Sequence, residues 1–167
     1  MNLKRIIIHW TAGTNQPNNT DCEHYHYLVN CDGLTIVGNY KPEDNLCCVG
    51  GKYAKHTGGG NTGSIGVAMC GMYGYVSPKN LGKYPLTKVQ CEAMFKLVAR
   101  LSILYDIPIT EDTVLTHYEF ALKHPKTSSK GKIDIVHLPP YPTIKQAEVG
   151  NFIRSKVKGY KNDILSR

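Results

Sequence analysis

Two short apolar runs that each end on a histidine constrain this 167-residue chain more than any other feature. Lys4 to Trp10 carries Ile6, Ile7 and Ile8 ahead of His9, then gives way to Thr11-Ala12-Gly13; Thr113 to His117 repeats the form. Short β-branched runs bounded by turn residues read as buried strands. A strand end is a rigid platform opening into loops, and it suits a residue that holds an ion at a sheet edge. Downstream, Lys130-Gly131-Lys132-Ile133-Asp134 puts Lys132 and Asp134 on one side if that segment is extended. Two neutral imidazoles and one carboxylate suit Zn²⁺ with a fourth position left for water, which the ion acidifies toward neutral pH. The pattern alone leaves packed histidines and a solvated Lys-x-Asp as alternatives. It reaches no further than a candidate metal hydrolase.

The rest of the chain supplies the frame. His24 to Val29 and Leu34 to Val37 are strand-like runs around Asn30-Cys31-Asp32-Gly33, a hairpin signal. Thr14 to Asp21 reads as a polar loop, and Lys41 to Lys55 as irregular. The glycine-rich stretch Gly58 to Gly63 runs into a strand from Ser64 to Cys70, and Met72 to Pro85 is a second long loop. Thr87 opens the clearest helix: Thr87 and Gln90 fit a capping box, and Cys91, Met94, Phe95, Val98, Leu101 and Tyr105 recur at helical spacing. Glu119 to Lys132 reads as a basic loop, and Thr143 to Val157 as a C-terminal amphipathic helix. Strands separated by one long helix, with some hairpin pairing, predict an α/β fold: a single domain with a mixed central β-sheet and helices packed on it. No repeat or linker divides residues 1–167.

Composition narrows the partners. At 41% hydrophobic and 20% charged the chain has ordinary globular composition, so a packed core is expected and disorder is not. The net charge of +7 attracts polyanions, but no block of five basic residues appears, so no nucleic-acid partner is expected. Gly-Gly-Gly-Asn-Thr-Gly lacks the Gly-Lys-Ser/Thr ending of a phosphate loop, which argues against nucleotides. No stretch approaches the ~20 apolar residues of a membrane span. Met1-Asn2-Leu3-Lys4-Arg5 leads into only three isoleucines, so no signal peptide is read and the chain is expected to be made in the cytoplasm. Six cysteines without CxxC spacing read as free thiols.

Four ordered stretches resemble the type 2 N-acetylmuramoyl-L-alanine amidases, the family that includes phage lysozyme-type amidases and the peptidoglycan recognition proteins. They are Ile6 to Gly13; Tyr25-His26-Tyr27-Leu28-Val29 with Asp32-Gly33; His56 with Gly59 to Val67; and Thr116-His117-Tyr118-Glu119 with Gly131 to Asp134. Pro85-Leu86-Thr87 at the start of the long helix also fits, and the resemblance covers roughly residues 4 to 140.

The resemblance implies a Zn²⁺ amidase that cuts between N-acetylmuramic acid and L-alanine in peptidoglycan or its muropeptide fragments. The zinc ligands then fall on His9, His117 and Asp134. Lys132 falls on a basic position that stabilises the developing oxyanion, and Tyr25 on a tyrosine used beside the metal. His56, Asn61 and Ser64 become candidate substrate contacts, and Trp10 either lines the cleft or packs beneath it. Two departures stand out. The stretch from His117 to Lys132 is longer than in the phage lysozyme-type members, which makes His124 and His137 rival third ligands. The region from His9 to Tyr25 is too short and too rich in Asn and Pro for the helix many members place there. The resemblance also admits a peptidoglycan-binding module without catalysis. As an enzyme, the chain fits a phage or prophage endolysin released by a holin, a tail-borne enzyme, or one that recycles wall fragments.

Overall fold

Ile6, Ile7 and Ile8 are fully buried because β1 (Arg5–Trp10) lies inside the sheet and is covered on both faces. The computed structural model describes residues 2–167. After β1 come α1 (Asn19–His24), β2 (Tyr27–Val29), β3 (Thr35–Val37), β4 (Ser64–Met69), α2 (Lys88–Leu104), β5 (Val114–Thr116), α3 (His117–Lys123) and α4 (Val149–Leu165). The strand order is β3-β2-β4-β1-β5. All neighbours are parallel except the β2–β3 hairpin, which makes the sheet mixed as expected.

Alternation along the strands sorts the side chains between two layers. Ile6, Ile8 and Trp10 point with Ile65, Val67 and Met69 into the main core, under Met94, Phe95 and Val98 of α2 and Ile153 and Val157 of α4. Ile7 points the other way, to Leu115 and to Phe120 of α3, while Leu28, Ala68 and Cys70 meet Cys22 and Tyr25. Each fully buried isoleucine contributes about 1.5–3 kcal/mol relative to an exposed one. This alternation puts His9 on the α3 face of the sheet, opposite Ala68 near the carboxyl ends of the parallel strands.

Three local expectations are corrected. Asn18 to His24 is no loop: Asn18 and Asp21 cap each other reciprocally and start α1, a two-turn helix that fits the short segment. Residues 117–123 form α3, because Thr116 accepts from the Glu119 backbone while the Glu119 side chain accepts from that of Thr116. The fifth strand therefore ends at Thr116, and His117 opens a helix. The C-terminal helix begins at Val149 rather than Thr143 and runs on to Leu165. It is anchored by Arg154, which donates to both Glu119 oxygens at 3.0 and 2.9 Å and to the Val114 carbonyl. Arg154 is buried and Glu119 half-buried, so losing either partner leaves a poorly solvated charge without its counter-ion.

The irregular stretch 41–63 is ordered by Asn45. Its amide donates to Ala54 O and Asn61 O, and its oxygen accepts from Ala54 N and from His26 Nε2 at 2.9 Å. His26 Nδ1 accepts from Gly66 N, so both ring nitrogens are used and the ring is neutral. Burial pushes its pKa down to about 4, against the opposing pull of the Asn45 hydrogen bond.

Between about 6.5, the unfolded value, and about 4 the unfolded chain binds a proton that folded His26 refuses. Stability therefore rises with pH across this window. It is expected to be flat above about pH 6.5 and to fall by about 3 kcal/mol toward pH 4 on account of His26 alone. Urea midpoints measured across this range test the expectation. A midpoint that does not move with pH would contradict it.

Candidate metal centre

Three side chains from three separate segments converge at the carboxyl edge of the sheet. His9 is the fifth residue of β1, His117 the first of α3, and Asp134 lies in the irregular segment after α3, tied to it by Tyr118 N donating to Asp134 O. All three are buried. His9 Nδ1 is 3.1 Å from His117 Nδ1 and 2.9 Å from Asp134 Oδ2, and His117 Nδ1 is 3.3 Å from the same oxygen. A tetrahedral ion with bonds of ~2.0–2.1 Å separates its donors by about 3.3 Å. The triangle is therefore close to one face of such a site.

The donor chemistry fits as well. Burial drives the His9 pKa down to about 4, with the Asp134 hydrogen bond pulling the other way, so the imidazole is neutral near pH 7. Burial alone would raise Asp134, but the imidazoles of His117 and His9 beside it outweigh that and hold it below the ordinary carboxylate range. Two neutral imidazoles and an ionised carboxylate are a set that a divalent transition ion accepts. Among the described residues this is the one group of His, Cys, Asp and Glu with metal-holding spacing.

A cavity of about 630 Å³ opens over the group, bordered by Trp10, Tyr25, Lys55, Tyr75, Lys132 and Ile133 among others. The Tyr25 ring centre is 5.1 Å from that of His9. Burial, then the negative charge of Asp134, pushes the phenol pKa well above its usual value, so Tyr25 acts as a hydroxyl donor and not as a base. Lys132 is exposed at the rim, and its charge opposes protonation of His9.

The other expected residues divide. His56 borders the cavity but is buried. Trp10 points to the face opposite His9, only 4% exposed, with its ring 5.1 Å from that of Tyr75; it packs beneath the cleft and touches its edge. Asn61 and Ser64 are not brought to this cavity. Ser64 is fully buried at the other end of β4, opposite Arg5, whose Nε donates to its hydroxyl. Asn61 borders a separate hollow with Lys4 and Arg5, and its side chain accepts from Thr57 N. His124 is exposed at the end of α3 against Phe120, and His137 faces Tyr75; neither reaches the metal-facing atoms. Lys55 and Tyr75 escaped the sequence reading because nothing in loops of such composition marks which residues turn inward.

A family model described as N-acetylmuramoyl-L-alanine amidase matches residues 1–133. No curated protein matches the sequence. Among solved structures, the chain is similar to the N-acetylmuramoyl-L-alanine amidase LysC from Clostridium intestinale URNW, with 15% identity, 95% of this chain and 87% of that one covered, and a TM-score of 0.59. It is also similar to a point mutant of PlyL, at 22% identity, 95% and 86% coverage and a TM-score of 0.54. At these identities the structural likeness concerns the fold.

Equilibrium dialysis against a divalent transition ion is expected to load one ion per chain. His9→Ala, His117→Ala and Asp134→Ala should each weaken uptake by more than the ~10–100-fold typical of losing an outer-shell partner. His124→Ala should leave uptake unchanged, and a large loss there would restore His124 as a ligand.

Proposed function

The chain belongs to the N-acetylmuramoyl-L-alanine amidase family, and from that premise we propose that it is a zinc-dependent hydrolase cleaving the amide between N-acetylmuramic acid and L-alanine in peptidoglycan. The observation that carries the reading is the buried His9–His117–Asp134 triangle at the floor of an open cavity. A zinc ion held there supplies Lewis acidity for activating water and polarising the amide carbonyl.

The chain's own residues account for the remainder. Lys132 sets an ammonium on the rim of the cavity, beside the charge that develops on the carbonyl oxygen as it becomes tetrahedral. Tyr25, kept protonated by burial and by Asp134, offers its hydroxyl proton to the same oxygen. Tyr75, backed by the buried Trp10, gives one wall an aromatic surface against which a sugar ring packs, and Lys55 adds a second cation. Among the described residues lining the cavity Asp134 is the only acid, so the site favours an anionic substrate such as a stem peptide.

The catalytic unit takes in all of 1–167. Its last helix lies beyond the matched residues yet grips α3 through Arg154, and α2 through Glu92, whose carboxylate takes hydrogen bonds from Tyr141, Tyr160 and Lys156. Wall lysis as a phage or prophage endolysin is the role we assign, since a net charge of +7 draws the protein to anionic wall polymers.

Purified protein incubated with peptidoglycan should release stem peptides beginning with L-alanine, read by mass spectrometry, with release stopped by a chelator and restored by zinc. Lys132→Ala should retain its metal and lose about 10²–10³-fold in turnover, the range for removing one oxyanion partner. Full activity in that variant would remove Lys132 from the mechanism. Tight wall binding with no peptide released by the unaltered protein would replace the hydrolase with a binding module.

A further inference from the structure

The metal-facing histidines each turn a second ring nitrogen inward, and the residues that meet those two nitrogens belong to, or lean on, one segment, His56–Ser64. On the His117 side, Nε2 lies 2.9 Å from Ser129 Oγ, and that hydroxyl donates to Gly58 O at 2.7 Å. A hydroxyl whose proton is committed to a carbonyl accepts from its other neighbour, so His117 Nε2 carries a hydrogen. Its Nδ1 is left with a bare lone pair.

On the His9 side a third imidazole, that of His56, takes part. His56 Nε2 faces Ser64 O at 3.2 Å, and a carbonyl only accepts, so that nitrogen carries the ring hydrogen. His56 is buried and none of its hydrogen-bond partners is a carboxylate, so the ring is neutral and its Nδ1 is bare. Thr57 Oγ1, 2.7 Å away, donates to it. His9 Nε2 then meets two lone pairs, His56 Nδ1 at 3.2 Å and Thr57 Oγ1 at 3.3 Å, and once a cation occupies the Nδ1 side beside Asp134 it must itself be the donor.

We propose that His56 and Thr57 are positioning residues that hold His9 with its hydrogen on Nε2, as Ser129 does for His117, so that both Nδ1 lone pairs face the metal position. This rests on the metal-centre reading above, and it gives His56 a different task from the substrate contact expected of it. Both of its ring nitrogens are engaged inside the protein. Gly66 makes the arrangement sterically feasible: a Cβ there would stand 2.5 Å from the His56 ring. On the other side Gly58 lies close to the Ser128 side chain, where a Cβ would stand 1.8 Å from the hydroxyl and require it to turn away.

The test combines imidazole ¹⁵N NMR on the zinc-loaded protein with zinc affinity measured by chelator competition. In the unaltered protein, Nε2 of both His9 and His117 should carry a hydrogen slow to exchange with water. His56→Phe should keep the fold, lose that protection at His9 and bind zinc about 10–100-fold more weakly. Thr57→Val should weaken binding in the same direction, and it decides the matter alone should His56→Phe fail to fold. His56→Asn, which returns an amide oxygen near the Nδ1 position, should recover most of the affinity, as a purely space-filling role for the ring would not predict. A bare Nε2 on His9 in the unaltered protein, or zinc affinity unchanged in folded Thr57→Val, overturns the assignment. Failure of the unaltered protein to take up zinc would strike the metal reading, and the assignment with it.

Discussion

A carboxylate and two imidazole nitrogens are held within 3.3 Å of one another at the edge of the sheet, in a place largely closed to water. Three lone pairs at that spacing repel unless a cation lies among them, and burial removes the solvent that would soften the repulsion. The fold has to hold that arrangement from outside. β1 fixes His9 through ladders to β4 and β5, and the capped start of α3 fixes His117. The Tyr118–Asp134 backbone bond fixes the third arm. Each of the three segments is also anchored elsewhere, so relaxing the triangle would require unmaking core packing or a buried ion pair.

The segment from Lys41 to Ser64 has almost no regular structure, yet it is where the outer support of the site is built. Its order comes from one side chain: Asn45 uses its amide hydrogens and its oxygen on three residues, binding the segment to itself and to His26 just before β2. A buried amide satisfied this fully is rigid, because each bond broken leaves a buried polar group without a partner. Rigidity at Asn45 is what delivers His56 and Thr57 to His9. The glycines nearby serve approach more than flexibility, since the His56 ring and the Ser128 side chain come closer than a Cβ would allow.

Legibility in the sequence followed the range of the interaction. Strands β1, β4 and the β2–β3 hairpin were readable because alternation and turn chemistry are local. The helix α2 was readable from its capping box and period. The helix α3 was missed although Thr116 and Glu119 repeat the Thr87–Gln90 pattern, because the lysines around it suggested a solvated loop. The triangle His9, His117 and Asp134 came from family resemblance; periodicity placed two histidines at strand ends and nothing more. Asn61 and Ser64 went astray for a different reason. Proximity in sequence to a glycine-rich motif says nothing about which end of β4 a residue occupies, and Ser64 sits at the end remote from the metal-facing edge.

The same geometry assigns different electrostatic roles to the three groups nearest the reacting position. Asp134 is an anion shielded from solvent, and its field raises the Tyr25 phenol while helping His9 against the cost of burial. Lys132 stands at the exposed rim, where its long stem keeps the charge hydrated until a ligand covers it. Covering the cavity lowers the local dielectric and strengthens the attraction between that ammonium and a nascent oxyanion. In the proposed reaction, a phenol that cannot ionise and an ammonium that strengthens as water leaves would both stabilise negative charge on the substrate. Neither competes for the proton that a neutral His9 must leave off its metal-facing nitrogen. The proposed division of labour follows from burial alone: the groups deepest in the protein are placed to hold an ion, and those at the mouth to meet the charge that the proposed chemistry would create.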